Sequence, residues 1–124
     1  MNKLIKEALK ARSKAYAPYS KFKVGAALET TSGKIFTGCN VENASYGLSN
    51  CAERTAIFKA VSEGQTKFKR IAIVTSAKEL TPPCGACRQV LAEFSPDIEV
   101  VMANTKGKVL SVRLSKLLPM IFKI

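Results

Sequence analysis

The sequence contains no histidine. Imidazole is the usual general base near neutral pH, because its ordinary pKa lies close to that range. Its absence excludes a Ser-His-Asp triad, a Cys-His nucleophile pair and every metal site with a histidine ligand. Any catalysis by this chain must therefore use carboxylates, thiolates, lysines or a metal ion held by sulfur.

Acidic residues are also scarce, since 9 Asp and Glu stand against 20 Lys and Arg, a formal net charge of +11. Such an excess can indicate nucleic-acid binding. The lysines are scattered, however, and no block of five like charges occurs. Scattered charge favours a solvated basic surface, because it affects solubility more than the choice of partner. We therefore expect no nucleic-acid partner.

Long apolar runs are absent, and none approaches the roughly 20 residues that a membrane-spanning helix needs. Residues 1–15 mix lysines with leucine, isoleucine and alanine, which predicts an amphipathic helix rather than a signal peptide. We expect a cytoplasmic protein with reduced thiols and no membrane partner. The length of 124 residues, 47% of them hydrophobic, predicts a single domain, 1–124, that can bury a core.

Helical and strand-like segments alternate along the chain. Strands are predicted at 22–29, 34–40, 70–76, 98–103 and 109–114, and helices before Pro18 and at 51–63, 84–94 and 115–118. The first two strands should form an antiparallel hairpin, and the segment 70–103 should form a right-handed βαβ unit with parallel strands. The economical arrangement is a three-layer α/β/α fold with a central five-stranded mixed sheet.

Three of the four cysteines lie at predicted helix starts. Cys84 and Cys87 form a C-x-x-C motif after two prolines, and residues three apart share one side of a helix. Cys51 begins another helix, and the free N–H groups at helix N-termini lower the pKa of a thiol. We predict that Cys51, Cys84 and Cys87 bind a metal ion, with zinc favoured because thiolate-rich sites select it.

Other fates for these cysteines fit the sequence less well. A redox C-x-x-C pair explains neither Cys51 nor Glu53, and two disulfides are unusual in a reducing compartment. Cys39 has apolar strand neighbours and is expected to be a buried, inert thiol. Three ligands leave one zinc position open, as in catalytic sites, whereas Cys39 as a fourth ligand would make a closed, structural site.

Glu53 and Arg54 follow Cys51 directly. Glu53 points away from Cys51 on a regular helix, yet in the first turn it can reach a water beside the metal and serve as a proton shuttle. Otherwise it is a glutamate favourably placed at a helix N-terminus. Three thiolates make the zinc site negative, and Arg54 is the nearest cation that could balance this charge; the alternative is an ordinary exposed arginine.

The motif Cys51-Ala52-Glu53-Arg54, taken with residues 83–89 (PCGACRQ), resembles the small homotetrameric zinc-dependent cytidine deaminases. The parent zinc-deaminase pattern is H-x-E…P-C-x-x-C, and this chain carries cysteine where that pattern has histidine. The likeness continues through residues 18–28, 40–46 and 117–122, and covers nearly the whole chain.

The resemblance implies an enzyme that hydrolyses free cytidine or deoxycytidine to uridine or deoxyuridine and ammonia in pyrimidine salvage. It implies one Zn²⁺ per subunit on the three cysteines, and Glu53 as the residue that moves protons to N3 and to the leaving amine. It also implies active sites shared within a homotetramer. The residues it assigns to the nucleoside are Phe22, Asn40, Val41, Glu42, Ala52 and, from a neighbouring subunit, Phe122, while Ala44 and Tyr46 lie in a loop at subunit contacts.

Three alternatives remain. A deaminase of blasticidin-type nucleosides would share the zinc motifs and the size. A nucleic-acid cytosine deaminase is disfavoured, because a carboxylate at Glu42 that accepts from a 3′-hydroxyl would repel a 3′-phosphate. A non-catalytic zinc module would need a fourth zinc ligand.

Overall fold

The computed structural model describes residues 2–124 and contains one five-stranded sheet with helices on both faces. The elements, in chain order, are α1 (Asn2–Arg12), β1 (Gly25–Thr30), β2 (Ile35–Cys39), a 3₁₀ turn (Tyr46–Leu48), α2 (Ala52–Ser62), β3 (Phe68–Thr75), α3 (Gly85–Phe94), β4 (Glu99–Asn104), β5 (Val109–Arg113) and α4 (Leu114–Leu117). The predicted order and fold class are confirmed. Within the described residues, no helix has the length and apolar character needed to cross a bilayer.

The strand order across the sheet is β2-β1-β3-β4-β5. Strands β1 and β2 form the predicted antiparallel hairpin, with Ala27 opposite Thr37. Strands β3 and β4 are parallel, with Ala72 opposite Val101, and α3 connects them. The remaining contacts, β1 with β3 and β4 with β5, are antiparallel. The mixed sheet therefore contains the expected βαβ unit at its centre.

Strand β1 begins three residues later than predicted. The side chain of Asn40 accepts a hydrogen bond from the Val24 N–H at 2.8 Å and donates one to the Phe22 carbonyl at 2.8 Å. These side-chain bonds occupy backbone groups that a continuing strand would pair with its neighbour. Residues 22–24 are therefore an ordered approach to the sheet, and Phe22 faces a cavity rather than the core.

Alternate strand residues face two separate cores, as the strand period of two requires. Ala27 and Ala72 belong to the core beneath α1, whereas Ala26 and Ile71 belong to the larger core beneath α2 and α3. The helix α2 approaches the sheet closely at Gly38, where an added Cβ would lie 2.5 Å from the Ala52 carbonyl oxygen. This contact places the first turn of α2 directly on β2.

A row of alternating charges crosses three strands. Arg70 Nη1 lies 2.7 Å from Glu29 Oε1, and Arg70 Nε lies 3.2 Å from Glu99 Oε1. The pKa of Glu99 is held below its usual range, chiefly because the Ser111 hydroxyl donates to it and secondarily because of Arg70. We call Glu29, Arg70 and Glu99 the cross-strand row; it lies at the opposite end of β3 from the loop that leads to Cys84.

Candidate active site

The N-termini of α2 and α3 converge on one point. Their capping positions are Cys51 and Cys84, both with extended backbones and neither with a side-chain capping bond. Serine, threonine, aspartate or asparagine usually fills this position, because its side-chain oxygen accepts a helix N–H. Cysteine gives up that bond, so both thiols remain free for another partner at the positive ends of two helices.

The sulfur atoms of Cys51, Cys84 and Cys87, here called the thiol cluster, lie within 4.8 Å of one another. Cys51 Sγ is 3.6 Å from Cys84 Sγ, which is 3.4 Å from Cys87 Sγ. These distances exclude a disulfide, in which the sulfurs are about 2.05 Å apart. Tetrahedral zinc with Zn–S distances of about 2.3 Å requires sulfurs about 3.8 Å apart, so the donor set fits zinc.

Cys39 is separate from the thiol cluster. Among residues 2–124 no fourth cysteine and no carboxylate joins the three ligands within the same distance limit. The closed four-cysteine site is therefore contradicted. Cys39 is half-buried rather than buried, because it is the last residue of the edge strand β2. It lines a surface pocket together with Lys14 and Lys59.

Arg54 contacts the thiol cluster from the first turn of α2. Its Nη2 donates to Cys51 Sγ at 3.3 Å. The pKa of Cys51 is lowered to about 5, chiefly because the Cys87 thiol donates to it, with further contributions from Arg54 and Cys84. The pKa of Cys87 is raised, because it donates to Cys51 and is buried. The structure thus places a cation against the Cys51 sulfur, whose pKa is lowered.

Glu53 is 5% exposed and lines a cavity together with Cys51 and Cys84. Its pKa is raised to about 7, chiefly by burial and further by the negative charge at Cys51. The carboxylate is not part of the ligand group, so it lies beside the thiol cluster without being a fourth ligand.

The cavity beside the thiol cluster has a volume of about 290 Å³, at the lower end of the ~300–1,000 Å³ range of small-molecule sites. Four residues assigned by the sequence to substrate contacts line it: Phe22, Asn40, Glu42 and Ala52. Sequence reasoning missed Ser20, Ser49, Asn50 and Thr81, which also line it. For Ser20 a signal existed, because it lies within the family-like segment 18–28.

The comparisons with known proteins agree with this geometry. Residues 1–104 match the family described as the cytidine and deoxycytidylate deaminase zinc-binding region. The chain belongs to this family. A cytidine deaminase of Halalkalibacterium halodurans is 56% identical over 117 residues, covering 94% of this chain and 89% of the relative. The crystal structure of a cytidine deaminase from Burkholderia pseudomallei has a TM-score of 0.94 and 55% identity, and covers 98% of each chain.

A blasticidin-S deaminase of Bacillus cereus is more distant from this deaminase-family chain. It is 31% identical over 109 residues, which cover 82% of this chain and 77% of the relative. The 25-point gap from the Halalkalibacterium protein (56 − 31) favours the cytidine branch over the blasticidin branch.

Several predicted residues of this family member lie away from the cavity. Val41 has isolated bridges to Tyr16 and Asn50, and its side chain is 46% exposed and lies outside the cavity lining. Ala44 is exposed, and Tyr46 is 77% exposed and stacks edge-on against Tyr19, with ring centroids 6.3 Å apart.

Phe122 is 73% exposed and also lies outside the cavity of its own chain. Its backbone is held at two points by α3, since Gln89 Nε2 donates to the Phe122 carbonyl at 3.1 Å and the Phe122 N–H donates to Gln89 Oε1 at 3.2 Å. Arg88 Nη1 donates to the Leu117 carbonyl at 2.8 Å. The helix that carries Cys87 therefore also presents the Phe122 ring outward.

Proposed function

We propose that this chain is a zinc-dependent hydrolase that deaminates free cytidine or deoxycytidine to uridine or deoxyuridine and ammonia. The observation that carries the proposal is the buried carboxyl group of Glu53 beside three thiols that lack a fourth protein ligand among residues 2–124. Membership of the zinc-binding deaminase family and 56% identity to a cytidine deaminase support it.

Cys51, Cys84 and Cys87 would hold one Zn²⁺ per subunit, and a bound Zn²⁺ supplies the Lewis acidity that makes water nucleophilic near neutral pH. Glu53 accepts a proton from the attacking water and returns it to N3 of the cytosine ring. The water oxygen bonds to C4, and its second proton passes through Glu53 to the amino group on C4, which leaves as ammonia when the C4–N bond breaks. Arg54 offsets the negative charge of the sulfurs through its bond to Cys51.

Binding of the nucleoside falls to other residues that line the cavity. The Glu42 carboxylate accepts a hydrogen bond from the sugar and the Asn40 amide donates one to it, chiefly at the 3′-hydroxyl. Phe22 packs on the base and sugar. The Asn40 side chain is already bonded to the backbone at both ends, so it offers one remaining lone pair and one N–H to a ligand. The Ala52 backbone at the start of α2 meets the base edge.

We further propose a homotetramer in which Phe122 of each chain stacks on the base bound by a neighbour. The exposed ring of Phe122 and the exposed aromatic pair formed by Tyr19 and Tyr46 support this, because a lone chain leaves them in water. Residues 1–124 act as one catalytic domain in this proposal. A role in pyrimidine salvage in the cytoplasm is consistent with a centre that needs reduced thiols.

The test is ammonia release, measured in parallel with cytidine, deoxycytidine, cytosine, cytidine monophosphate, blasticidin S and single-stranded DNA. We expect turnover of the two free nucleosides, with the phosphorylated substrates poor because they bring negative charge toward Glu42. Preference for blasticidin S or for DNA, or activity in protein that contains no zinc by elemental analysis, would reject the proposal.

A further inference from the structure

The loop that precedes β1 is held in an unusual conformation. Lys21 has φ of 61°, and it is the one residue other than glycine with positive φ between residues 2 and 124. The left-handed conformation is disfavoured for a side chain with a Cβ, and such residues cluster at functional sites. Hydrogen bonds oppose the strain, since the Lys21 N–H donates to the Ala17 carbonyl at 3.0 Å.

The Ser20 hydroxyl connects two cavity residues across this strained turn. Its Oγ accepts a hydrogen bond from the Phe22 N–H at 3.0 Å and donates one to Glu42 Oε2. The other carboxylate oxygen, Oε1, accepts the N–H groups of Tyr19 at 3.0 Å and Ser20 at 3.1 Å. Ser20 therefore fixes both the sugar-facing carboxylate and the backbone of Phe22.

Counting acceptor positions shows what is left for a ligand. An ionised carboxylate offers about four lone-pair sites, and three are occupied by Ser20 and Tyr19. These bonds, led by the Ser20 hydroxyl, hold the pKa of Glu42 below its usual range, so the group stays ionised. One acceptor site in a fixed direction remains, which suits one hydroxyl donor of a sugar and no more.

We propose that Ser20 is a positioning residue for nucleoside binding, which aims the last free acceptor site of Glu42 into the cavity and thereby sets selectivity for the sugar. The proposal rests on the proposed function. In this role Ser20 does not contact the reacting atoms. If the serine only closed the turn, its replacement would affect folding, but its effect on KM would not depend on whether Glu42 is present.

The test is a double-mutant cycle on KM for cytidine with zinc-loaded protein. Ser20→Ala should raise KM about tenfold, the loss of one charge-assisted hydrogen bond, and leave kcat within about twofold. In a Glu42→Ala background the same change should raise KM less than about twofold, because the partner is already gone. Ser20→Thr keeps the hydroxyl and should restore KM, and Ser62→Ala, a serine at the far end of α2, is the matched control.

A KM unchanged by Ser20→Ala, or an equal increase in both backgrounds, would overturn the positioning role while leaving the deaminase proposal intact. If the wild-type protein does not deaminate cytidine, the proposed function itself is rejected. If Ser20→Ala does not fold by circular dichroism, Ser20→Cys keeps a weaker donor; KM must then lie between wild type and Glu42→Ala, and a wild-type KM would contradict the role.

Discussion

The two ends of the sheet differ in how their charged side chains are paired. In the cross-strand row, Arg70 faces two carboxylates at 2.7 and 3.2 Å, and all three side chains are between 21% and 24% exposed. At the other end, Arg54 faces a sulfur at 3.3 Å, Glu53 is nearly fully buried, and Arg54 Nε has no hydrogen-bond partner among residues 2–124.

The difference separates a structural network from a chemical one. Charges that are paired and still partly exposed to water contribute little to stability. At the thiol cluster, burial and a neighbouring negative sulfur raise the pKa of Glu53 to about 7, while hydrogen bonds lower that of Cys51 to about 5. Strongly perturbed groups inside a cavity are the pattern expected of a reaction centre.

Removing one zinc ligand should have the largest effect. Cys87→Ala should reduce zinc content from one ion per chain to none and abolish cytidine turnover, because two sulfurs cannot complete the site. Elemental analysis and ammonia release measure both results. Cys39→Ala is the matched control and should keep its zinc; loss of zinc in that variant alone would mean that the ligands have been misassigned.

Glu53→Gln comes next. We expect kcat to fall by about 10²–10⁴-fold, the usual contribution of a positioned acid–base group, while zinc content stays at one per chain. The amide keeps the shape of the side chain but cannot accept a proton from water and release it again near neutral pH. Glu63→Gln, at the exposed C-terminal end of the same helix, should leave kcat unchanged. Full activity in Glu53→Gln would remove this residue from the mechanism.

The two arginines give the direct contrast. Arg54→Ala should lower kcat/KM by about tenfold, roughly the worth of one charge-assisted hydrogen bond, with the melting temperature nearly unchanged. Arg70→Ala should do the reverse, costing on the order of 1 kcal/mol of stability without altering kcat. Thermal melts and initial rates of both variants test this contrast. If both substitutions lower the rate equally, Arg54 and Arg70 do not differ in function as expected.

The smallest expected effect is on the acid limb of stability. The pKa of Glu99 is below its ordinary 4.5, so its contribution is present above that pH and is lost as the pH falls through the lower, folded pKa. Arg70→Ala should reduce this dependence, because one cause of the lowered pKa is gone. Urea unfolding at pH 6 and at stepwise lower pH measures it; parallel curves for both proteins would show that Arg70 contributes nothing.

The sequence predicted the parts of this molecule that depend on local pattern. Strand alternation and the helical spacing around Cys51 and Cys84 sufficed for the element order, and the ligand set followed from the cysteine spacing. The start of β1 was wrong, because the Asn40 side chain competes for the backbone of residues 22–24. These two bonds join residues that are 16 and 18 positions apart in the sequence, so they leave no periodic signal.

Val41 and Ser20 illustrate the same limit at the cavity. Val41 lies between two predicted contact residues, yet bridges to Tyr16 and Asn50 place its side chain outside the cavity lining. Ser20 was part of a family-like segment, but its bond to Glu42 spans 22 positions, from one side of the β1–β2 hairpin to the other. Long-range polar contacts of this kind decide which residues of a motif line the cavity.

The missing side chain at Gly38 has a consequence for anyone who alters this protein. With 2.5 Å between the position of an added Cβ and the Ala52 carbonyl oxygen, no compressible layer separates the edge strand from the helix that carries Cys51 and Glu53. We therefore expect shifts in β2 to move the first turn of α2 as well. We also expect substitutions in β2 to alter the activity even when they change no residue that lines the cavity.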